Sequence, residues 1–117
     1  VVAKNGSEVV SLGIRIARQF TGRRSVITFD QAYHGNDPEL ATRPPRGPLR
    51  EAIREIVRLP WNDSQALLDH AARNGDATAA IVLNPLDQNP GLATRFADTG
   101  FIDTIETVRT RYGIQLV

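Results

Sequence analysis

Tyr33, His34 and Gly35 stand in a row just after an apolar run, Val26-Ile27-Thr28-Phe29, comes to a stop. A tyrosine ring at such a place offers a flat face to a flat ligand, a contact adding about 0.5–1.5 kcal/mol beyond its area. A histidine beside it orients a ligand or exchanges protons near neutral pH. The plain alternative is a turn, in which glycine supplies backbone freedom while Tyr33 and His34 cover the edge of a core. Two other strings carry comparable chemistry. In "AKNGSE", residues 3 to 8, Asn5 is placed to cap a helix, with Glu8 reaching back to complete a capping box. Gly6 lets another group approach the backbone closely, and Ser7 adds a hydroxyl beside the N–H groups of the first turn, so a phosphate fits there. In "NPLDQNPG", residues 84 to 91, two Asn-Pro steps and a glycine make a stiff loop that presents the amides of Asn84 and Asn89. Each string alone is also what an ordinary helix start or turn contains. His70 sits mid-helix beside Leu67 and Leu68 and reads as structural or solvent-facing.

These strings need elements to hold them, and hydrophobic spacing supplies the elements. Val9, Leu12, Ile16 and Phe20 step by three and four, which predicts a helix over about residues 7 to 20 with that face buried, ended by Thr21-Gly22. Ser25 to Phe29 and Ala79 to Leu83 read as strands buried on both sides. Residues 36 to 50 hold Pro38, Pro44, Pro45 and Pro48 and read as loop; Glu51 to Leu59 reads as a helix running into a short strand. Asn62-Asp63 starts a second helix carrying Leu67, Leu68, Ala71 and Ala72, closed by Asn74-Gly75. Phe101, Ile105, Val108 and Tyr112 mark a third, stopped by Gly113 before a last strand. Alternating helices and buried strands give an α/β class: a three-layer α/β/α arrangement around a mostly parallel sheet. Ligands of such sheets collect beyond the carboxyl ends of the strands, where all three strings fall.

Composition narrows the function classes. The chain has 117 residues, room for one domain, with Lys+Arg 14 against Asp+Glu 13. Nothing in that balance points to a nucleic-acid or anionic-membrane surface. Lys4 is the single lysine, and the absence of cysteine removes disulfides, thiolate metal sites and cysteine nucleophiles. No run approaches the roughly 18 apolar residues of a membrane span, and no signal-peptide pattern opens the chain. The chain lacks methionine and starts and stops inside apolar segments, Val1-Val2 and Ile114 to Val117, which leads us to expect a piece of a longer protein.

Taken in order, the strings resemble a known family. "KNGSEVVSLGIRIARQFTGRRSVITFDQAYHG", then "PWNDSQALLDHAARNGDATAAIVLNPLDQNPG", then a helix and "YGIQLV", are similar to the central part of class-III pyridoxal-phosphate-dependent aminotransferases of fold type I. The flavour is that of the glutamate-1-semialdehyde aminomutase branch. The resemblance implies that residues 1–117 form part of the pyridoxal-phosphate-binding large domain of an aminotransferase or aminomutase. It implies a cytoplasmic homodimer acting on a small amino acid or amine, binding neither nucleic acid nor membrane. By it, Gly6 and Ser7 hold the cofactor phosphate, Tyr33 stacks on the pyridine ring, and His34 supports it. Asn89 stands where the aminomutase branch has an asparagine beside the cofactor. Asn84 stands where the family usually has a glutamate, losing a charge but keeping an acceptor oxygen. The catalytic groups, the Schiff-base lysine and the aspartate that pairs with the pyridine nitrogen, fall beyond Val117 in the family, so the segment alone is expected to be inactive. Other readings remain: a decarboxylase or epimerase on the same scaffold, or a non-catalytic α/β module gripping a phosphorylated ligand through Asn5 to Glu8. The resemblance also predicts the strand order, with Ser25–Phe29 between Ile56–Leu59 and Ala79–Leu83, Ile114–Val117 beyond, and Val1–Ala3 detached.

Overall fold

Asn5 starts the first helix as expected: its side-chain oxygen accepts a hydrogen bond from the Glu8 N–H at 3.0 Å. The other half of the expected capping box forms one residue earlier, the Glu8 carboxylate accepting from the Lys4 N–H at 2.9 Å. Helix α1 runs Gly6–Thr21 and ends on Gly22, whose φ of 69° is left-handed. The computed structural model describes residues 3–30, 32–35, 40, 55–87 and 94–117. Most of the expected loop 36–50, and the helical part of 51–59, lie outside them.

Strands β1 (Ser25–Phe29), β2 (Ile56–Leu59), β3 (Thr78–Ile81) and β6 (Gln115–Leu116) make a four-stranded sheet in the order β2-β1-β3-β6. Every pairing in it is parallel. This is the order the resemblance implied. Val82 and Leu83 prolong β3 by single bonds, their N–H groups donating to the carbonyls of Ile27 at 2.9 Å and Val117 at 3.0 Å. Between the strands lie α2 (Ser64–Asn74) and α3 (Thr99–Tyr112). Asp63 caps α2, accepting from the Ala66 N–H at 2.9 Å, and Gly113, with φ 66°, ends α3. Gly75 closes α2 in right-handed helical geometry and leads into a short 3-10 turn, Gly75–Ala77.

Alternation along the strands sorts the core into two sides. Val26, Ala80 and Val82 face α1 and pack with its Ile14 and Ala17. Ile27, Phe29 and Ile81 face α2 and α3, packing with Leu67, Ala71, Phe101, Ile105 and Val108. Helix, sheet and helix pair thus form three layers, the arrangement read from the pattern. Each fully buried Ile, Leu or Phe contributes about 1.5–3 kcal/mol.

The expected buried face of α1 needs correction. Ile14 and Ala17 are buried, whereas Val9, Ile16 and Phe20 are exposed, Phe20 by 77%. The helix carries two apolar stripes, and the one ending in the small residue Ala17 gets closest to the sheet. Gly13 lies on this side, where an added Cβ would stand 2.7 Å from Val117 Cγ1. The other stripe forms an open apolar groove with Leu116 and Val117 along the edge of β6. In α2 the same sorting leaves Leu68 and Ala72 exposed beside buried Leu67 and Ala71.

Two features escaped the sequence reading. Leu86–Asp87 (β4) and Arg95–Phe96 (β5) pair antiparallel, a small ladder whose first strand lies within the stretch 84 to 91 read only as a loop. Arg23 bridges layers, its guanidinium donating to the carbonyls of Thr78 at 3.2 Å and Tyr112 at 2.6 Å, so the start of β3 and the end of α3 share one cation. Of the segment Val1–Ala3 expected to be detached, Val1 and Val2 lie outside the described residues, and Ala3 belongs to no strand. Among the described residues no helix is long and apolar enough to cross a membrane.

Candidate functional site

Beyond the carboxyl ends of β1 and β3 the surface opens into a cavity of about 460 Å³. Three segments wall it: Gly6, Ser7 and Val10 from α1, Tyr33 to Gly35 after β1, and Val82 to Pro85 after β3, with Val117 completing the lining. Gly6, Ser7, Tyr33, His34 and Asn84 therefore meet in one place, although the sequence spreads them across most of the chain. Asn89 lies outside the described residues.

The N-terminus of α1 is one end of the site. Its dipole and first-turn N–H groups favour an anion, the dipole by about 0.3–1 kcal/mol. A Cβ added to Gly6 would meet nothing within 4 Å, so the space over this turn is open to a ligand. Glycine at 35 does a different job. Its φ is +91°, and a Cβ there would lie 2.5 Å from Ser7 Oγ and 2.9 Å from Ser7 Cα. The loop after β1 thus sits directly on the first turn of α1, and only glycine permits that approach. Sequence reading treated Gly35 as turn chemistry and missed this contact.

Tyr33 and His34 part company. Tyr33 is 60% exposed and lines the cavity rather than covering a core edge, which suits a stacking face. His34 is 6% exposed, and its Nε2 has no hydrogen-bond partner among the described residues. Burial, helped by the charge of Arg58, lowers its pKa to about 4. The expectation of proton exchange near neutral pH is thereby corrected: at pH 7 the ring is neutral and acts as a polar, uncharged wall. Arg58, placed beside His34 by β2, was not foreseen as part of the site's electrostatics.

This burial has a measurable consequence. The neutral form is the one folding favours, so an unfolded chain takes up the proton first as pH falls. His34 stabilisation is complete above about pH 6.5 and is lost down to about pH 4, at up to about 1.4 kcal/mol per pH unit. Urea midpoints across that window should fall with pH. The His34→Gln variant should show a flatter profile, keeping the slope from His70, whose pKa burial also lowers, and at the acid end that from Glu106, whose pKa the Arg109 hydrogen bond lowers. An equally steep profile in the variant would contradict the burial of His34.

Asn84, read as an amide presented by a stiff loop, does line the cavity. Its amide group is also engaged on both sides: Nδ2 donates to the Tyr33 carbonyl at 3.2 Å, and Oδ1 accepts from the Leu86 N–H at 3.1 Å. Among the described residues no cluster of three or more His, Asp or Glu is placed to hold a metal. Lys4, the single lysine, is exposed and does not line the cavity.

No family model matches the chain. In sequence it is 32% identical over 124 residues to the glutamate-1-semialdehyde 2,1-aminomutase of Methylacidiphilum infernorum, covering 97% of this chain and 28% of that protein. It is 31% identical to the same-named protein of Desulforapulum autotrophicum, covering 99% of this chain and 29% of that one. Among solved structures, the PLP internal aldimine form of the FumI protein from Sphingopyxis sp. MTA144 superposes with a TM-score of 0.88 at 27% identity, over 97% of this chain and 27% of that one. An omega-transaminase from Sphaerobacter thermophilus gives 0.84 at 26% identity, over 96% and 29%. The chain thus spans less than a third of the length of the curated relatives it matches.

Proposed function

We propose that this chain, a relative of the glutamate-1-semialdehyde aminomutases with the fold type I architecture of the aminotransferases, builds the phosphate and ring side of a pyridoxal-phosphate site. Residues 1–117 would then be part of the cofactor-binding large domain of an aminotransferase or aminomutase. The observation that carries this reading is the meeting of an open helix N-terminus, an exposed tyrosine and a neutral histidine around one cavity at the strand ends.

The residues fit the group. Gly6 and Ser7 offer a helix start to a dianionic phosphate, with room above Gly6 for its oxygens. The Tyr33 ring presents a face to an aromatic ring. His34, being neutral, adds no positive charge to the wall on which such a ring would rest. Pyridoxal phosphate, when bound, supplies an electron-accepting ring for bond breaking next to an amino group. What these residues contribute is holding and orienting; Lys4 is not at the cavity to act as a nucleophile. The substrate class that goes with this reading is a small amino acid or amine, and the assembly a cytoplasmic homodimer.

Titration of the protein with pyridoxal phosphate, followed by absorbance and induced circular dichroism, tests the reading. Tyr33→Ala is expected to weaken binding by about 2–12-fold, the equivalent of a lost stacking face. Gly6→Val should weaken it further by filling the space over the first turn. If both variants bind as the parent does, cofactor and site do not coincide. Retention of inorganic phosphate with no uptake of pyridoxal phosphate would favour a phosphate-gripping module without catalysis.

A further inference from the structure

The Tyr33 ring is exposed, so packing around the ring does not fix its attitude; its main chain must. Among the described residues, two contacts tie that main chain to other segments of the chain. On one side Gly35 rests on Ser7, close enough that a Cβ would stand 2.9 Å from Ser7 Cα. On the other, the Tyr33 carbonyl accepts from Asn84 Nδ2 at 3.2 Å. Asn84 is in turn tethered to its own loop through the Leu86 N–H, 3.1 Å from Oδ1. The two partners are opposite in kind, a carbonyl that only accepts and an N–H that only donates. A primary amide answers both at once, whereas an ionised carboxylate answers only the N–H and sets a negative oxygen against the carbonyl.

We propose that Asn84 is a positioning residue that fixes the Tyr33 platform by bridging the loops after β1 and β3, rather than a residue that contacts the ligand with its own amide. The proposal rests on the reading of Tyr33 as the face on which an aromatic ligand stacks. It assigns Asn84 a role that depends on a donated hydrogen bond. An acidic side chain at the same place would need another arrangement of the Tyr33 backbone. The cavity wall at this position is accordingly uncharged.

A double-mutant cycle on the whole chain, read by pyridoxal-phosphate affinity, tests it. Asn84→Asp keeps the size and the acceptor but removes the donor. It should weaken binding by about 2–10-fold in the parent and by less than about 2-fold in the Tyr33→Ala background. Asn84→Ala, which deletes the donor without adding charge, should show the same coupling and serves if the aspartate variant does not fold. Equal losses in both backgrounds would mean Asn84 acts on the ligand or on general stability, and would overturn the proposal. Should the parent bind no pyridoxal phosphate, it is the cofactor reading that fails, and the bridge is then judged on the Tyr33 ring itself. With two tyrosines in the chain, its NMR signals are assigned by Tyr33→Phe. Asn84→Asp should displace them, and unchanged signals would overturn the bridge.

Discussion

Replacing Gly35 with alanine is expected to destabilise the chain by about 2–5 kcal/mol and to spoil the cavity at the same time. Two penalties combine. The left-handed backbone, φ +91°, disfavours any Cβ, and that Cβ would press on Ser7 Cα, a backbone atom that cannot swing aside. Gly22 is the internal control, with φ +69° but nothing within 4 Å of an added Cβ. Gly22→Ala should therefore cost only the conformational part, about 1–2 kcal/mol. Urea denaturation of both variants separates strain from contact. Equal losses would show that Gly35 does not sit on α1 as described.

The second large effect belongs to the far side of the sheet. Phe101 of α3 meets Phe29 edge-on, ring centroids 5.0 Å apart, and lies 6.0 Å from the Trp61 ring; Phe29 and Trp61 are 6.4 Å apart. Phe101→Ala should cost about 3–5 kcal/mol, since neighbours from a strand, a loop and a helix cannot all close the gap. Against an ordinary total of about 5–15 kcal/mol this is a large fraction. Trp61 is the single tryptophan, so its emission should shift to the red as water reaches it. A midpoint and spectrum like the parent's would refute the packing. Phe29 is also the last residue of β1, so loosening it unsettles the base from which the Tyr33 loop leaves.

Helix ends and the buried strands were legible because local signals decide them, whereas the strand order followed from the family resemblance and not from any local signal. Asn5, Asp63, Gly22 and Gly113 act on neighbours within a few residues, and the apolar runs at 25–29 and 78–83 have no plausible exposed face. The convergence of the three strings was readable as well, because a parallel sheet puts all its strand ends on one side. What stayed hidden was set by partners remote in sequence. Which stripe of α1 is buried is set by Val26, Ala80 and Val82 of the sheet, far from the helix in sequence. The neutral state of His34 depends on its burial and on Arg58. The use of Asn84 depends on a carbonyl 51 positions away, and no spacing rule points to it.

The all-parallel sheet dictates an order of events as well as a shape. Val26 finds its partner at Ile56, Ser25 at Thr78 and Ala80 at Gln115, so no ladder of this sheet begins from a tight turn. Long loops must close before any strand is rewarded, which makes sheet assembly the slow step. Helix α1 carries its own start and stop in Asn5 and Gly22 and needs no such closure. Until the sheet closes over Ile14 and Ala17, that buried face of α1 is open to solvent as well, beside the stripe of Val9, Ile16 and Phe20 that stays exposed in the folded chain. Nascent chains are thus most prone to stick to one another while helical signal is already present and Trp61 is not yet packed against Phe29 and Phe101, a lag that stopped-flow circular dichroism and fluorescence resolve.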